Sequence, residues 1–177
     1  YHYGGLYGTM EVNALKHLEF AKIFMKNISH GSLKRLTYRG HPKVYTSTRM
    51  AYDKEDYLKE YLAYAQIVPA TYASGETCKE QMLKSRLVVV DNPSTSYLES
   101  LHMNIPTVFF WNSEVNYLEE RYTNFFTPLI DVGICQTDPI KAAQFIDKII
   151  DRGVIKFLKK DYDLEKTEII RYKCVDK

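Results

Sequence analysis

Short apolar runs with the character of β-strands alternate along this chain with segments whose apolar residues recur every three or four positions. Alternation of this kind predicts a parallel sheet in which a helix joins each strand to the next. The clearest strand is 87–90, four consecutive aliphatic residues, as a central strand buried on both faces requires. The pattern therefore predicts an α/β fold with a doubly wound parallel sheet.

The first helix is predicted from Thr9, which can cap it, to about Asn27. Its predicted apolar face consists of Val12, Leu15, Leu18, Ala21, Met25 and Ile28. Further strands are expected at 33–38, 67–68, 107–111 and 132–135, and further helices after Asp53, at 75–84, up to Met103, and from Pro139 to Gly153. Asn104 is expected to stop the third of these helices, and Asp138 to cap the last.

Composition narrows the class of protein. The 177 residues are 45% hydrophobic and 26% charged, as in an ordinary globular domain. We expect one domain over 1–155 and a helical tail, 156–177, that packs on it. No apolar run is long enough to span a bilayer. With 24 basic and 22 acidic residues, the charge does not indicate a nucleic-acid partner. The basic run Lys156, Lys159 and Lys160 is either a solvated face or a weak peripheral contact with an anionic membrane.

The three cysteines, Cys78, Cys135 and Cys174, form no CxxC pair and no cluster with histidine. A metal site is therefore not expected, and reduced thiols in a cytoplasmic protein are the simplest interpretation. The chain begins without Met, inside a glycine-rich loop, so we expect it to be a piece of a longer protein.

Three loops carry the candidate chemistry, and each is expected at the edge of the sheet where the strands end, the usual place for ligands in such folds. In the first, Ser94, Thr95 and Ser96 open a helix, where hydroxyls, free N–H groups and the helix dipole suit a phosphate. Glu99, one turn later, could accept hydrogen bonds from sugar or ribose hydroxyls. The alternative is a capping box, with Ser96 as N-cap and Glu99 at N3.

The second loop is Arg39-Gly40-His41-Pro42, at the end of a predicted strand. Arginine can bind a phosphate with two hydrogen bonds, and histidine can move a proton near neutral pH. A solvated turn is the alternative. The third loop contains Gly4, Gly5, Tyr7 and Gly8, where glycines would let the backbone approach a ligand. Because no lysine follows the last glycine, it is not a Walker loop, and a structural turn remains equally open.

The segment from Ser85 to Trp111 carries a resemblance to known proteins. Its strand, its Ser/Thr-rich turn, its Tyr-Leu-Glu helix start and its Ile-Pro-Thr strand start resemble the nucleotide-sugar-binding half of GT-B-type transferases that build bacterial surface carbohydrate. A wider likeness is to the glycerophosphotransferases of wall teichoic acid and to capsule enzymes. The glycine loop is similar to their H-G-G-x-Y-G loop, and Arg39 to Pro42 to their R-x-H-P turn. The resemblance covers about residues 1–150.

The resemblance implies a Rossmann-like domain, one half of a GT-B fold, that binds a nucleotide-activated sugar or polyol phosphate. It implies catalytic roles for Arg39 and His41 and donor binding by the glycine loop, the Ser/Thr turn and Glu99. It also implies that no cofactor or metal is needed, that the acceptor is a saccharide or a lipid-linked molecule, and that the acceptor domain lies outside this chain.

Two other functions remain open. A nucleotide-sugar epimerase or hydrolase of the same fold would need a carboxylate pair, for which Asp91 and Glu99 flank the Ser/Thr turn. A non-catalytic binding module of this fold would carry a ligand without chemistry.

Overall fold

The computed structural model describes residues 10–39, 54–68, 77–91, 95–115 and 119–152. The described helices are α1 (Met10–Asn27), α2 (His30–Leu33), α3 (Lys54–Leu62), α4 (Cys78–Lys84), α5 (Thr95–His102), α6 (Thr123–Asp131) and α7 (Pro139–Arg152). The described strands are β1 (Thr37–Arg39), β2 (Gln66–Val68), β3 (Val88–Val90), β4 (Thr107–Phe110) and β5 (Cys135–Gln136). The predicted tail, and with it the division at residue 155, lies outside the described residues.

Every described strand pair is parallel. β1 pairs with β2, and β3, β4 and β5 form a three-stranded sheet in that order. In the larger sheet Val90 lies opposite Phe109, and Phe109 lies opposite Cys135. Helices α3, α5 and α6 follow β1, β3 and β4 along the chain and precede the next strand of the same sheet. The predicted parallel arrangement of strands joined by helices is confirmed, although α2 and α6 were not among the predicted helices.

Helices cover both faces of the three-stranded sheet, as the alternation of side chains along β4 shows. Phe110 stacks on Phe24 of α1, with 4.5 Å between ring centroids. Phe109 points to the opposite face, where it stacks on Tyr97 of α5 at 4.3 Å and contacts Phe126 of α6. Helix α7 packs beside α1 and against β4 and β5. The result is a three-layer arrangement with aromatic contacts on each side of the middle strand.

The order of the strands corrects one expectation. Residues 87–90 were expected to form the central, fully buried strand, but β4 is the middle strand and is buried along its whole length. Among the described strands, β3 pairs with β4 alone, and Val89 is half-buried. An aliphatic run indicates that both faces of a strand are covered, but it carries no information on how many neighbours the strand has.

Two predicted strands are shorter than expected because helical turns occupy their first residues. Ser29 caps α2, its hydroxyl accepting a hydrogen bond from the Ser32 N–H, so β1 begins only at Thr37 rather than at residue 33. Before β5, Gly133 adopts a φ of +78° and its N–H bonds the Ile130 carbonyl at the end of α6. The strand therefore begins at Cys135 rather than at residue 132.

Two predicted helix boundaries are confirmed: Asn104 stops α5, and Asp138 caps the start of α7. Asn104 has a φ of +58°, and its N–H and that of Ile105 bond the carbonyls of Leu101 and Ser100, which closes α5 with a Schellman motif. Asp138 Oδ1 accepts hydrogen bonds from the N–H groups of Ile140 and Lys141 at 2.8 and 3.1 Å, which caps α7. These two ends set where β4 and α7 begin.

Helix α1 has the predicted bounds but a partly different buried face. Leu15 is 40% exposed, so among the described side chains of α1 the buried stripe starts at Leu18. It also includes Phe24, which the predicted face omitted and which is held by the ring of Phe110. The buried face of α1 is determined by where β4 and α7 pack against it. The periodicity of the α1 sequence alone does not contain that information.

Asp147 of α7 joins that helix to the α1–α2 turn. Its Oδ2 accepts a hydrogen bond from the Ser29 N–H at 2.9 Å. Its Oδ1 accepts from the hydroxyls of Ser29 and Ser32 at 2.9 and 2.5 Å. We call this set of three residues the Asp147 junction. Both oxygens of the carboxylate are engaged within the chain, so the junction is a structural tie between distant elements.

Candidate functional site

The candidate residues are arranged around the carboxyl edge, by which we mean the end of the sheet where β3, β4 and β5 finish. Because these strands are parallel, the chain leaves all three at this edge. β3 ends at Val90, and the next described helix, α5, begins at Thr95. The first turn of α5 therefore lies at the carboxyl edge, as expected from the sequence.

Thr95 and Ser96 are the first two residues of α5. Their backbone N–H groups belong to the first helical turn, which has no acceptor within the helix. Ser96 is thus inside the helix and does not occupy the N-cap position, so the capping box that pairs it with Glu99 is not formed. Thr95 and Glu99 are exposed and Ser96 is half-buried. The arrangement leaves hydroxyl and N–H donors at the positive end of a helix.

Arg39 and Glu99 both act electrostatically on a third side chain, Cys78. Burial raises the pKa of the Cys78 thiol, the Arg39 guanidinium lowers it, and the Glu99 carboxylate raises it. Arg39 is the last residue of β1, Cys78 the first of α4, and Glu99 lies in α5, which packs against α4. Three elements thus bring a cation, a thiol and an anion into one electrostatic neighbourhood. We call these three residues the Cys78 cluster.

Cys78 was not among the site residues predicted from the sequence. Cys78 is a free cysteine and, as a whole residue, exposed, although its sulfur is desolvated enough to raise the pKa of the thiol. It is the first residue of α4, whose N-cap is Thr77. Glu80 completes a capping box there, since its carboxylate accepts from the Thr77 N–H at 2.7 Å. The signal that could have found Cys78 is its place in the chain: α4 follows β2, so its first residue falls where the parallel strand β2 has ended.

Helix α1 reaches the same edge through two neighbouring side chains. His17 Nε2 lies 3.9 Å from Asp91 Oδ2, directly after β3, and both side chains are partly buried. Lys16 Nζ lies 3.2 Å from Glu114 Oε2, in the loop after β4. The carboxylate of Asp91 thus faces α1, whereas that of Glu99 acts on Cys78.

An aromatic cluster fills the α5 side of the sheet next to this edge. Its members are Tyr97, Phe109, Trp111 and Phe126. The sequence left open whether Tyr117, Tyr122, Phe125 and Phe126 form a sugar-stacking surface or part of the core. Phe126 is a core residue and Tyr122 and Phe125 pack against the core, whereas Tyr117 lies outside the described residues.

Several predicted site residues lie outside the described residues: Gly4, Gly5, Tyr7, Gly8, His41 and Ser94. In the part of the chain that the structure describes, no group of three or more His, Cys, Asp or Glu side chains is placed to hold a metal ion. Of the helices in the same ranges, none combines the length and the apolar character needed to cross a bilayer.

Comparison with known proteins adds one finding to this geometry. Residues 2–152 match the model of a family described as the LIC12162 family transferase. The match includes all five described strands and all seven described α-helices. No curated protein and no solved structure shows a significant match to the chain.

Proposed function

Because the chain belongs to the LIC12162 family of transferases, we propose that it is the donor-binding domain of an enzyme that transfers a nucleotide-activated sugar or polyol phosphate to a surface-carbohydrate acceptor. The observation that carries the proposal is the Cys78 cluster. A cation from β1 and an anion from α5 act on one thiol, in the helix that packs against α5. A nucleotide-activated donor carries a negatively charged diphosphate and neutral hydroxyls, so its binding site needs a cation for the phosphates and an anion that accepts hydrogen bonds from the hydroxyls.

In this proposal the first turn of α5 binds the diphosphate. The N–H groups and hydroxyls of Thr95 and Ser96, with Ser94 before them, supply neutral donors at the positive end of the helix dipole. Arg39 adds a full positive charge with a planar fork that fits phosphate oxygens. Glu99 accepts hydrogen bonds from ribose or sugar hydroxyls. Gly4, Gly5, Tyr7 and Gly8 would cover the phosphates from the start of α1.

The proposed transfer is a displacement. An oxygen of the acceptor forms a bond to the transferred group while the bond from that group to the nucleotide phosphate breaks. Negative charge grows on the leaving nucleotide, and Arg39 with the helix N-terminus stabilises it, an effect that is often the largest in such catalysis. His41 assists by a hydrogen bond or a proton transfer. The proposed reaction needs no cofactor. In this proposal the acceptor is a saccharide or a lipid-linked molecule, which the enzyme binds in the cytoplasm at the membrane surface.

The fold in this proposal is one half of a GT-B enzyme, with a doubly wound sheet. The parallel three-stranded sheet with helices on both faces supports it. Membership in a transferase family favours group transfer over a non-catalytic module. It also favours group transfer over epimerisation.

Cys78 provides the test. The folded chain is alkylated in the presence and absence of UDP, CDP, GDP or ADP, and modification is read at each cysteine by peptide mass mapping. We expect a bound nucleotide to slow alkylation of Cys78, because a ligand held by Arg39 and Glu99 would shield the thiol on which both residues act. Cys135 is an internal control, since burial raises the pKa of its thiol to about 12.

The proposal fails if none of the four nucleotides binds the folded chain at millimolar concentration by calorimetry. It also fails if one binds and Cys78 is alkylated at an unchanged rate, because the ligand would then lie elsewhere. Cys78→Ser, which keeps the size of the side chain, should bind the nucleotide as the wild type does and lose the alkylation signal.

A further inference from the structure

Trp111 lies directly after β4, at the carboxyl edge, and its side chain is buried, with 3% of the residue exposed. Among the described residues, its indole Nε1 is the buried side-chain nitrogen or oxygen that lacks a hydrogen-bond partner. A buried donor without an acceptor is unfavourable, and such groups in native proteins call for an explanation. The position of Trp111 supplies one.

The register of the sheet places Trp111 beside the start of α5. Val90, the last residue of β3, lies opposite Phe109, so Trp111 is two residues beyond the last β3–β4 pair. Its ring stacks on Phe109 at 5.8 Å, and Phe109 stacks on Tyr97 of α5. Trp111 is therefore on the face of the sheet that α5 covers, at the end where α5 begins.

A second helix starts at the same place. Phe126, in the first turn of α6, meets the Trp111 ring edge to face, with 5.4 Å between centroids. The indole is thus held by aromatic contacts from β4 and α6. A ring fixed in this way can present its one N–H to a ligand at little entropic cost.

We propose that the indole N–H of Trp111 donates a hydrogen bond to an oxygen of the bound nucleotide-activated donor, and that Trp111 forms the inner wall of the donor site. This inference rests on the proposed function of the carboxyl edge. It adds a neutral donor from β4 to the N–H groups of the α5 helix start and to the charge of Arg39. It also gives the buried N–H the acceptor that it lacks among the described residues.

The chain contains one tryptophan, so a ¹⁵N-labelled sample gives a single indole N–H resonance that belongs to Trp111. We titrate the folded chain with UDP, CDP, GDP and ADP and follow this resonance. The nucleotide that binds should shift it in proportion to occupancy and slow its exchange with solvent. Trp111→Phe, which keeps an aromatic ring and removes the N–H, should weaken binding about tenfold or more, as expected for a hydrogen bond to a charged acceptor.

Phe110→Leu is the matched control. It shortens the neighbouring side chain, which is equally buried but faces α1 on the opposite side of the sheet. We expect it to lower stability and to leave the affinity for the nucleotide within about twofold of the wild type, because sites without shared partners act independently.

Saturable binding that leaves the indole resonance in place overturns the inference, and so does an equal loss of affinity in Trp111→Phe and Phe110→Leu. Either result leaves the proposed function standing. If no nucleotide binds, the proposed function fails and this inference fails with it. Should Trp111→Phe not fold, the resonance of the wild-type chain decides the question.

Discussion

The Asp147 junction and the Cys78 cluster both gather polar side chains from distant parts of the chain, but they differ in what becomes of the charge. At the junction, both carboxylate oxygens of Asp147 accept hydrogen bonds from Ser29 and Ser32. In the Cys78 cluster, opposite charges from Arg39 and Glu99 act on the thiol of Cys78. A carboxylate saturated by its own chain stabilises the fold, whereas Cys78 and Glu99 are exposed residues that a ligand can reach.

The largest effect is expected at the junction. Asp147→Ala removes three hydrogen bonds and leaves the buried hydroxyl of Ser32 without its acceptor. The free energy of unfolding, measured by urea denaturation, should fall by about 3 kcal/mol, the scale of losing hydrogen bonds to a charged group. Asp151→Ala, one turn further along α7 and exposed, is the control and should change it by less than about 0.5 kcal/mol. A small loss in Asp147→Ala would contradict the structural interpretation of the junction.

The next effect is on binding. Arg39→Ala should weaken nucleotide binding by about 1.5–3 kcal/mol, because a charged donor to the phosphates is lost. Thr95→Ala should cost less, since the backbone donors of α5 remain. Calorimetry measures both, and Arg35→Ala, an exposed arginine four residues earlier, controls for net charge. If Arg39→Ala binds the nucleotide as the wild type does, Arg39 does not belong to the donor site.

A smaller effect is expected at the helix start that carries Cys78. Thr77→Ala removes the N-cap of α4 and should lower the free energy of unfolding by about 1 kcal/mol. The hydrogen bonds from the Thr77 backbone and side chain hold the pKa of Glu80 below its ordinary value of 4.5. The contribution of Glu80 to stability is therefore complete above that pH and is lost as the pH falls through the lowered pKa.

Urea unfolding at a series of pH values tests the sign. The wild type should lose more stability than Thr77→Ala between pH 5 and pH 3, because the variant no longer offers the hydroxyl to Glu80. Equal pH dependence in the two proteins would show that the side-chain part of the capping box is not formed in solution.

The smallest effect distinguishes the two charges of the Cys78 cluster. Glu99→Gln removes a charge that raises the pKa of Cys78, so alkylation near neutral pH should speed up. Arg39→Ala removes a charge that lowers the same pKa, so alkylation should slow down. Because charges near a surface interact weakly through solvent, we expect changes of about twofold to fivefold in each direction. If the alkylation rate changes in the same direction in both variants, Arg39 and Glu99 do not act on Cys78 with opposite charges, and the Cys78 cluster is wrong.

Much of the local structure could be predicted because local rules decide it. Asn104 ends α5 because it tolerates a positive φ, and Asp138 starts α7 because its carboxylate reaches two free N–H groups. The parallel direction of β3 and β4 follows from the helix between them. The candidate site was predictable to the extent that Arg39, Thr95, Ser96 and Glu99 could be assigned to the ends of strands or the start of a helix.

Cys78 and Trp111 could not be found in the same way. Cys78 matters because β1 and α5 bring Arg39 and Glu99 near it, and these residues are far apart in the chain. Trp111 looks like the last residue of an apolar strand, and only the packing of β4 against α5 and α6 shows that its N–H is buried without a partner.

The sequence by itself determined the alternation of most strands and helices, the parallel direction and the helix boundaries at Asn27, Asn104 and Asp138, because these depend on periodicity and on side chains that bond their nearest backbone. Only the tertiary structure decided that β4 rather than β3 is the middle strand, that Phe24 rather than Leu15 is buried on α1, and that Asp147 caps a turn 118 residues away from it. Strand order, burial and long-range hydrogen bonds depend on which elements pack against each other. The hydrophobic pattern of the sequence shows which face of an element is apolar, but it does not show which other element covers that face.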